Sequence, residues 1–218
     1  MKDLQKLVGS LNKSGALSGF LGGVAGGGLT SLVSGKGSKK AGKKAIKYGA
    51  LAAVGGLAWK AYKQYSAQTN SKQSQTTKQT SSFDYAPETM PEQSFQQVVE
   101  DESGAGQLIL MRAMIAAAYA DGHIDETERQ KIFAAVENMQ LSMQEKAMLF
   151  DELRKPMQLA ELVQAVPDAQ TGIEVYAASA SAIDLQQSVS EQYLAALANQ
   201  LCLPKELVSN IHQQLALQ

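Results

Sequence analysis

The sequence predicts an all-α protein, and three observations carry that expectation. Apolar residues recur at spacings of three and four through most of residues 104–218, and no stretch there alternates with the period of two of a half-buried strand. Helix-start signals fall between the apolar stripes: Ser142-x-x-Glu145 and Ser188-x-x-Glu191 read as capping boxes, and Pro156 and Pro204 suit first turns. The intervening turns are short, roughly two to five residues, as in antiparallel bundles. About seven short helices are expected, forming a bundle that follows a glycine-rich membrane-associating segment and a disordered linker.

The charge distribution divides the chain. The 218 residues carry a formal net charge of −1. Residues 1–80 hold thirteen lysines and one acid, Asp3, a balance of +12, whereas residues 81–218 hold seven basic and twenty acidic residues, a balance of −13. A strongly cationic segment seeks an anionic partner, whether lipid headgroups, nucleic acid or the acidic half of the same chain.

The first segment, 1–65, alternates glycine-rich apolar runs with lysines. SGALSGFLGGVAGGGLTSLVSG (14–35) is uncharged between Lys13 and Lys36. As a helix it would span about 33 Å, enough for a bilayer. Eight of its residues are glycine, each costing about 1 kcal/mol against alanine, so a flexible loop is the alternative. Gly15, Gly19, Gly23 and Gly27 recur every four residues, a small-residue ridge suited to self-association in a membrane. YGALAAVGGLAW (48–59) is shorter, about 18 Å as a helix. It crosses only with snorkelling lysines and with Trp59, Tyr62 and Tyr65 at the interface. Between the two runs lie Lys36, Lys39, Lys40, Lys43, Lys44 and Lys47. Such a cluster holds anionic lipid at about 1 kcal/mol per charge. The positive-inside rule places these lysines in the cytoplasm. A single crossing at 48–65 would then export the acidic domain, and a hairpin would export the lysines. Shallow insertion without a crossing exports neither.

Residues 66–103 (SAQTNSKQSQTTKQTSS, then PETMPEQ and EDESG) hold too few apolar side chains to offset ordering of the backbone, and a disordered linker is expected. The helical domain, 104–218, opens with Leu108, Met111, Ile115 and Tyr119 in register and Ile109, Leu110 and Met114 also apolar. That helix should be buried nearly all round. Further stripes are Ile132/Phe133/Val136/Met139, Leu159/Leu162/Val163/Val166, Ile173/Tyr176/Ala177/Ala180, Leu194/Leu197/Leu201 and Leu207/Val208/Ile211/Leu215. The expected core holds Leu110, Ile115, Phe133, Leu153, Tyr176, Leu197 and Ile211. A single cysteine, Cys202, excludes an intramolecular disulfide and is expected as a small buried apolar residue. IFAAVENMQLS (132–142) aligns with LAALANQLCLP (194–204) at an offset of 62, which suggests an internal repeat.

One stretch, YADGHIDETERQ (119–130), concentrates carboxylates at a helix junction. It lacks EF-hand spacing, because glycine directly follows the first Asp. His123 has no second His or Cys at zinc spacing. Local stereochemistry explains most of it. Gly122 can take the left-handed conformation that ends a helix, and Asp125 with Glu128 reads as an N-cap with its reciprocal glutamate. Asp121 stays unexplained, since it falls at a helix end where a carboxylate is disfavoured. A cation shared by Asp121, Asp125 and Glu128 would remove the conflict, and oxygen-only ligands select weakly bound Ca²⁺ or Mg²⁺.

AAYADGHIDETERQKI, the later IDLQQSVSEQYLAALANQLCLPKELV and the glycine-rich N-terminal run together resemble a bacterial inner-membrane family, domain of unknown function 533, within the TerB-like (tellurite-resistance B) superfamily. The resemblance covers roughly 105–216 well and the N-terminal part loosely. It implies an all-helical bundle with a pseudo-twofold repeat, and divalent-cation binding by acidic residues at the helix junctions. The matching positions are Asp121, Asp125 and Glu128. In the second half Asp184 and Glu191 match, but Gln186 and Gln187 stand where relatives usually carry another acid, so a second half-site is incomplete.

The expected function is a non-enzymatic, membrane-attached helical module that binds protein partners and a divalent cation in an envelope or metal-stress response. It sits at the bacterial inner membrane with the helical domain in the cytoplasm. A hydrolase using the acidic junction is the alternative from another class, but no nucleophile elbow, phosphate loop, HExxH or Cys/His pairing is found. Nucleic-acid binding by the lysine-rich segment would lack a folded reading element and hence specificity.

Overall fold

The computed structural model describes residues 50–71, 83, 85, 90–101, 103–120, 122–124 and 142–217. Among these residues the chain is all-helical, without strands: α1 (Ala50–Ser71), α2 (Glu92–Glu100), α3 (Ala105–Ala118), α4 (Met143–Glu152), α5 (Leu159–Gln164), α6 (Ala169–Ala182), α7 (Ser188–Gln200) and α8 (Lys205–Ala216). Phe133, the stripe around it and the first copy of the suggested repeat lie outside the described residues.

The centre of the bundle is the pair α3 and α6, the most extensive contact among the described helices. Both helices are enclosed nearly all round. α3 buries Ile109, Leu110, Met111 and Ala113–Ala117, and α6 buries every residue from Thr171 to Ala180. Small residues let the backbones approach: Ser179 Oγ reaches Ala113 O at 3.3 Å. The remaining core is close to expectation, with Leu110, Ile115, Leu153, Tyr176, Leu197 and Ile211 all buried.

The first helix corrects the expected domain boundaries. The uncharged run and its flanking lysines predict a membrane-associating segment through residue 65, yet α1 packs on α2, α6 and α8 as part of the bundle. Leu51, Val54, Leu57, Ala58, Ala61 and Tyr62 recur at helical spacing and are buried, while Lys60 and Lys63 face outward. That periodic stripe, rather than the length of the uncharged run, decides where the helix goes. Trp59, expected at a lipid interface, packs its ring 5.7 Å from Phe95 and 6.2 Å from Tyr62. No helix among the described residues is long and apolar enough to cross a membrane.

The expected linker, 66–103, is likewise partly structured. α1 runs on to Ser71, and Glu92–Glu100 forms α2 with Phe95 fully buried. The segment has few apolar residues, but Phe83, Tyr85, Met90, Phe95 and Val98 all pack on the core. Tyr85 donates its hydroxyl to Leu201 O at 2.8 Å. Gly172 makes room for it: a Cβ there would lie 3.1 Å from the Tyr85 hydroxyl. Burial at this site raises the Tyr85 pKa, with the Cys202 and Asp168 charges adding to the effect.

Helix starts agree in part. The Ser142 box is complete: Glu145 N donates to Ser142 Oγ at 3.2 Å, and Ser142 N donates to Glu145 Oε2 at 2.7 Å. Ser188 instead begins α7 as its first residue, with Gln187 at the N-cap and no side-chain cap. Pro156 precedes α5 by three residues, outside its first turn, because Gln158 is the N-cap; Pro204 is the N-cap of α8. Cys202 is exposed rather than buried, at φ +56°. It follows the C-cap of α7, where Cys202 N donates to Asn199 O at 3.1 Å and Leu203 N to Ala198 O at 2.9 Å. This is a Schellman turn with cysteine in the left-handed position that glycine usually takes.

Candidate functional site

The acidic junction is described only at its edges. α3 ends at Ala118 with Tyr119 as C-cap, and Gly122 takes φ +91°, left-handed as expected, donating its N–H to Tyr119 O at 2.9 Å. Ile124 is buried and His123 exposed. Asp121, Asp125 and Glu128 lie outside the described residues, as do Lys36, Lys39, Lys40, Lys43, Lys44 and Lys47. Of the second half-site, Asp184 is exposed and accepts from Gln186 N at 2.9 Å, and Glu191 is exposed in the first turn of α7. Among the described residues, no three His, Cys, Asp or Glu side chains group so as to hold a metal ion.

A groove that sequence reasoning missed lies between α2, α3 and the start of α6, with a volume of about 920 Å³. Its apolar surface includes Val98, Leu108, Ile109 and Pro167, and its carboxylates are Glu100, Asp101 and Asp168. Gly106 fixes its shape, because a Cβ there would lie 1.8 Å from Val98 O, so α2 and α3 cross backbone to backbone.

The charges of this groove are held in place by local capping. Asp101 ends α2 and binds both the N–H and the hydroxyl of Ser103, which lowers its carboxyl pKa. Asp168 caps α6 by accepting from Thr171 N at 2.7 Å. Arg112 is the one basic group among the described residues lining the groove. Its guanidinium is already engaged, with Nε 2.7 Å from Glu152 Oε1 on α4. Burial raises the Glu152 pKa against the opposing pull of Arg112. The net result is a negative groove with an apolar floor. It suits a cationic segment with aliphatic stems, because lysine can lay its methylenes on apolar surface while its ammonium meets a carboxylate. No local signal in the sequence would have assembled it, since the start of α6 that completes it lies more than sixty residues beyond the end of α2.

Two further polar groups sit in the core. Glu174 on α6 is fully buried, with Oε2 accepting from Gln170 Nε2 at 3.3 Å and Oε1 without a hydrogen-bond partner. Tyr176 OH lies 2.8 Å from His212 Nε2 with the rings stacked, and burial lowers the histidine pKa.

Comparison with known proteins gives a family and one distant relative. The chain is 26% identical over 106 residues to an uncharacterized protein in the ampR 5′ region of Yersinia enterocolitica, covering 49% of this chain and 76% of the relative. No solved structure matches the chain. The family model described as "Protein of unknown function (DUF533)" matches residues 19–215, taking in the lysine-rich segment, α1 and all but the last residues of the described bundle. The chain therefore belongs to the DUF533 family.

Proposed function

We propose that this protein is a non-enzymatic, membrane-attached module. Its lysine-rich segment holds anionic lipid, and its acidic helical domain captures a protein partner. The observation that carries the reading is the charge asymmetry, +12 over residues 1–80 against −13 over 81–218, with a family match over 19–215 that spans both parts. One half suits a negative surface and the other a positive one. Attachment at the bacterial inner membrane with the bundle on the cytoplasmic side belongs to this reading, as does membership of the TerB-like superfamily. So does a Ca²⁺ or Mg²⁺ ion at Asp121, Asp125 and Glu128. α1 narrows the tether: with 50–71 committed to the bundle, residues 1–49 carry the lipid contact.

The test is flotation of the full chain with vesicles rich in phosphatidylglycerol, beside neutral vesicles and duplex DNA. The parent should float with the anionic vesicles at physiological salt and show no comparable affinity for DNA. Replacing Lys36, Lys39, Lys40, Lys43, Lys44 and Lys47 by Gln should lower partitioning on the order of 100-fold or more. A parent that stays with the soluble fraction would remove the membrane from the proposal.

A further inference from the structure

Two acceptor oxygens close on one point where α6 meets the crossing of α1 and α2. A Cβ built on Gly55 of α1 would lie 2.4 Å from Phe95 O of α2 and 3.3 Å from Glu174 Oε1 of α6. All three residues are buried. Oε2 of the same carboxyl accepts from Gln170 Nε2 at 3.3 Å, while Oε1 has no hydrogen-bond partner among the described residues. A carboxylate only accepts hydrogen bonds, and so does a carbonyl. As an ion, Glu174 would set an unsatisfied negative oxygen beside a second acceptor and away from water, which is far costlier than an ordinary unmade hydrogen bond.

The surrounding charges give no relief. Asp168, at the start of α6, opposes ionisation. Lys60 and Lys63 of α1 and Glu92 of α2 are exposed, and Tyr62 of α1 packs its ring on Phe95. Glu100 at the end of α2 is half-buried. Arg112 of α3 is held by Glu152 and His212 of α8 by Tyr176, while Glu191 of α7 and Lys205 and Glu206 of α8 are exposed.

We propose that Glu174 is a neutral acid whose O–H supplies the missing donor between α6 and Phe95 O, and that loss of this proton loosens the crossing of α1 and α2 at Gly55. An ionised Oε1 requires water, and the Gly55 and Phe95 backbones are what stand over it. The sign follows from burial, which raises the carboxyl pKa from 4.5 to about 9 in the closed joint. Below 4.5 the closed joint is fully favoured, and from there to about 9 it loses about tenfold per pH unit against the open one. Gln170 also lines the groove between α2, α3 and α6, so the state of the proton is felt there. This goes beyond membrane attachment and partner capture, because neither lipid nor partner enters.

Trp59 is the single tryptophan of the chain, and its ring lies 5.7 Å from that of Phe95, so its fluorescence reports this joint. The experiment follows acrylamide quenching of Trp59 in the full chain from about pH 6 to about pH 10, with the helical spectrum recorded at each step. Quenching should rise several-fold as pH passes about 9, with the helical signal unchanged. Glu174→Gln keeps the shape and carries its own N–H donor, so its quenching should stay at the parent's low-pH level throughout. The infrared band of a neutral carboxylic acid should be present in the parent at neutral pH and fade over the same range. Quenching that ignores pH overturns the proposal, as does a rise that Glu174→Gln repeats or one matched by loss of helix. Should the variant fail to fold, the parent's infrared band decides, and its absence at neutral pH overturns the proposal.

Discussion

Among the described residues, Glu174 is the carboxylate whose environment departs furthest from its ordinary chemistry. It has no exposure, and the Gly55 backbone closes over Oε1: a Cβ on Gly55 would lie 3.3 Å from that oxygen. Burial pushes its pKa from 4.5 up to about 9; the Gln170 hydrogen bond opposes the rise and the Asp168 charge adds to it. The folded protein therefore keeps a proton that the unfolded chain releases. Across the window from 4.5 to about 9 the unfolded state binds fewer protons, so stability is greatest below that window and falls as pH rises through it. Glu174→Gln keeps the shape and the polar contact without the ionisation. It should be more stable than the parent at neutral pH, by on the order of a few kcal/mol, and with a flatter pH profile. Parent and variant profiles that run parallel from acid to alkaline pH would show that the carboxylate does not hold its proton in the fold. The sequence placed Ile173, Tyr176, Ala177 and Ala180 on the inner face of this helix. It could not place Glu174, because α6 has no outer face: neighbours enclose it on all sides, a property of the assembly rather than of the period. Cys202 was misplaced for a related reason, since the left-handed turn that expels it follows from where α7 stops.

At the scale of elements, α1 is informative because two adjacent glycines in it have opposite environments. Gly55 faces α2, and any Cβ would meet the Phe95 carbonyl at 2.4 Å, a backbone atom with no rotamer to yield. Gly56 faces solvent with nothing within 4 Å. Gly56→Ala should stabilise the protein by up to about 1 kcal/mol through helix propensity alone. Gly55→Ala should destabilise it by about 1–3 kcal/mol, because the overpacked helices must part. Urea titrations of the two variants check the pair, and a shared sign would mean that α1 and α2 do not cross there. Read from composition, both glycines simply weaken a helix. Only the crossing partner separates them, and that partner is some forty residues away in sequence. By contrast, the start of α4 was legible to the residue, because Ser142 and Glu145 satisfy each other within one turn and need no partner.

For the whole molecule, the error over α1 and α2 has an energetic consequence. The stretch 104–218 looks self-sufficient by pattern, yet the core it lines is completed by Leu51, Val54, Leu57, Ala58, Tyr62 and Phe95. Burying large apolar side chains is worth about 1.5–3 kcal/mol each. Their sum, on the order of 10 kcal/mol, is comparable with the entire stability of a domain this size. Residues 104–218 alone should therefore lack a cooperative melt, and residues 50–218 should show one. Calorimetry of the two fragments decides it, and a sharp transition in the shorter one would make α1 and α2 an accessory layer. The all-helical class and most of the core of α3, α6, α7 and α8 could be read in advance because apolar residues recur at helical spacing, one-sided in α8 and nearly all round in α3. The boundary could not, because low average hydrophobicity over 66–103 conceals Phe83, Tyr85, Met90, Phe95 and Val98, which pack on the core.

α1 also closes against the other end of the chain. Gln64 pairs with Gln213 at 2.8 Å and with Gln214 at 3.2 Å, across separations of 149 and 150 residues. On a ribosome, α1 emerges long before α8 exists. At roughly 5–20 residues per second the delay is on the order of 10–30 seconds. For that time α1 can meet only α2 and then α6, and the bundle cannot shut until α8 arrives.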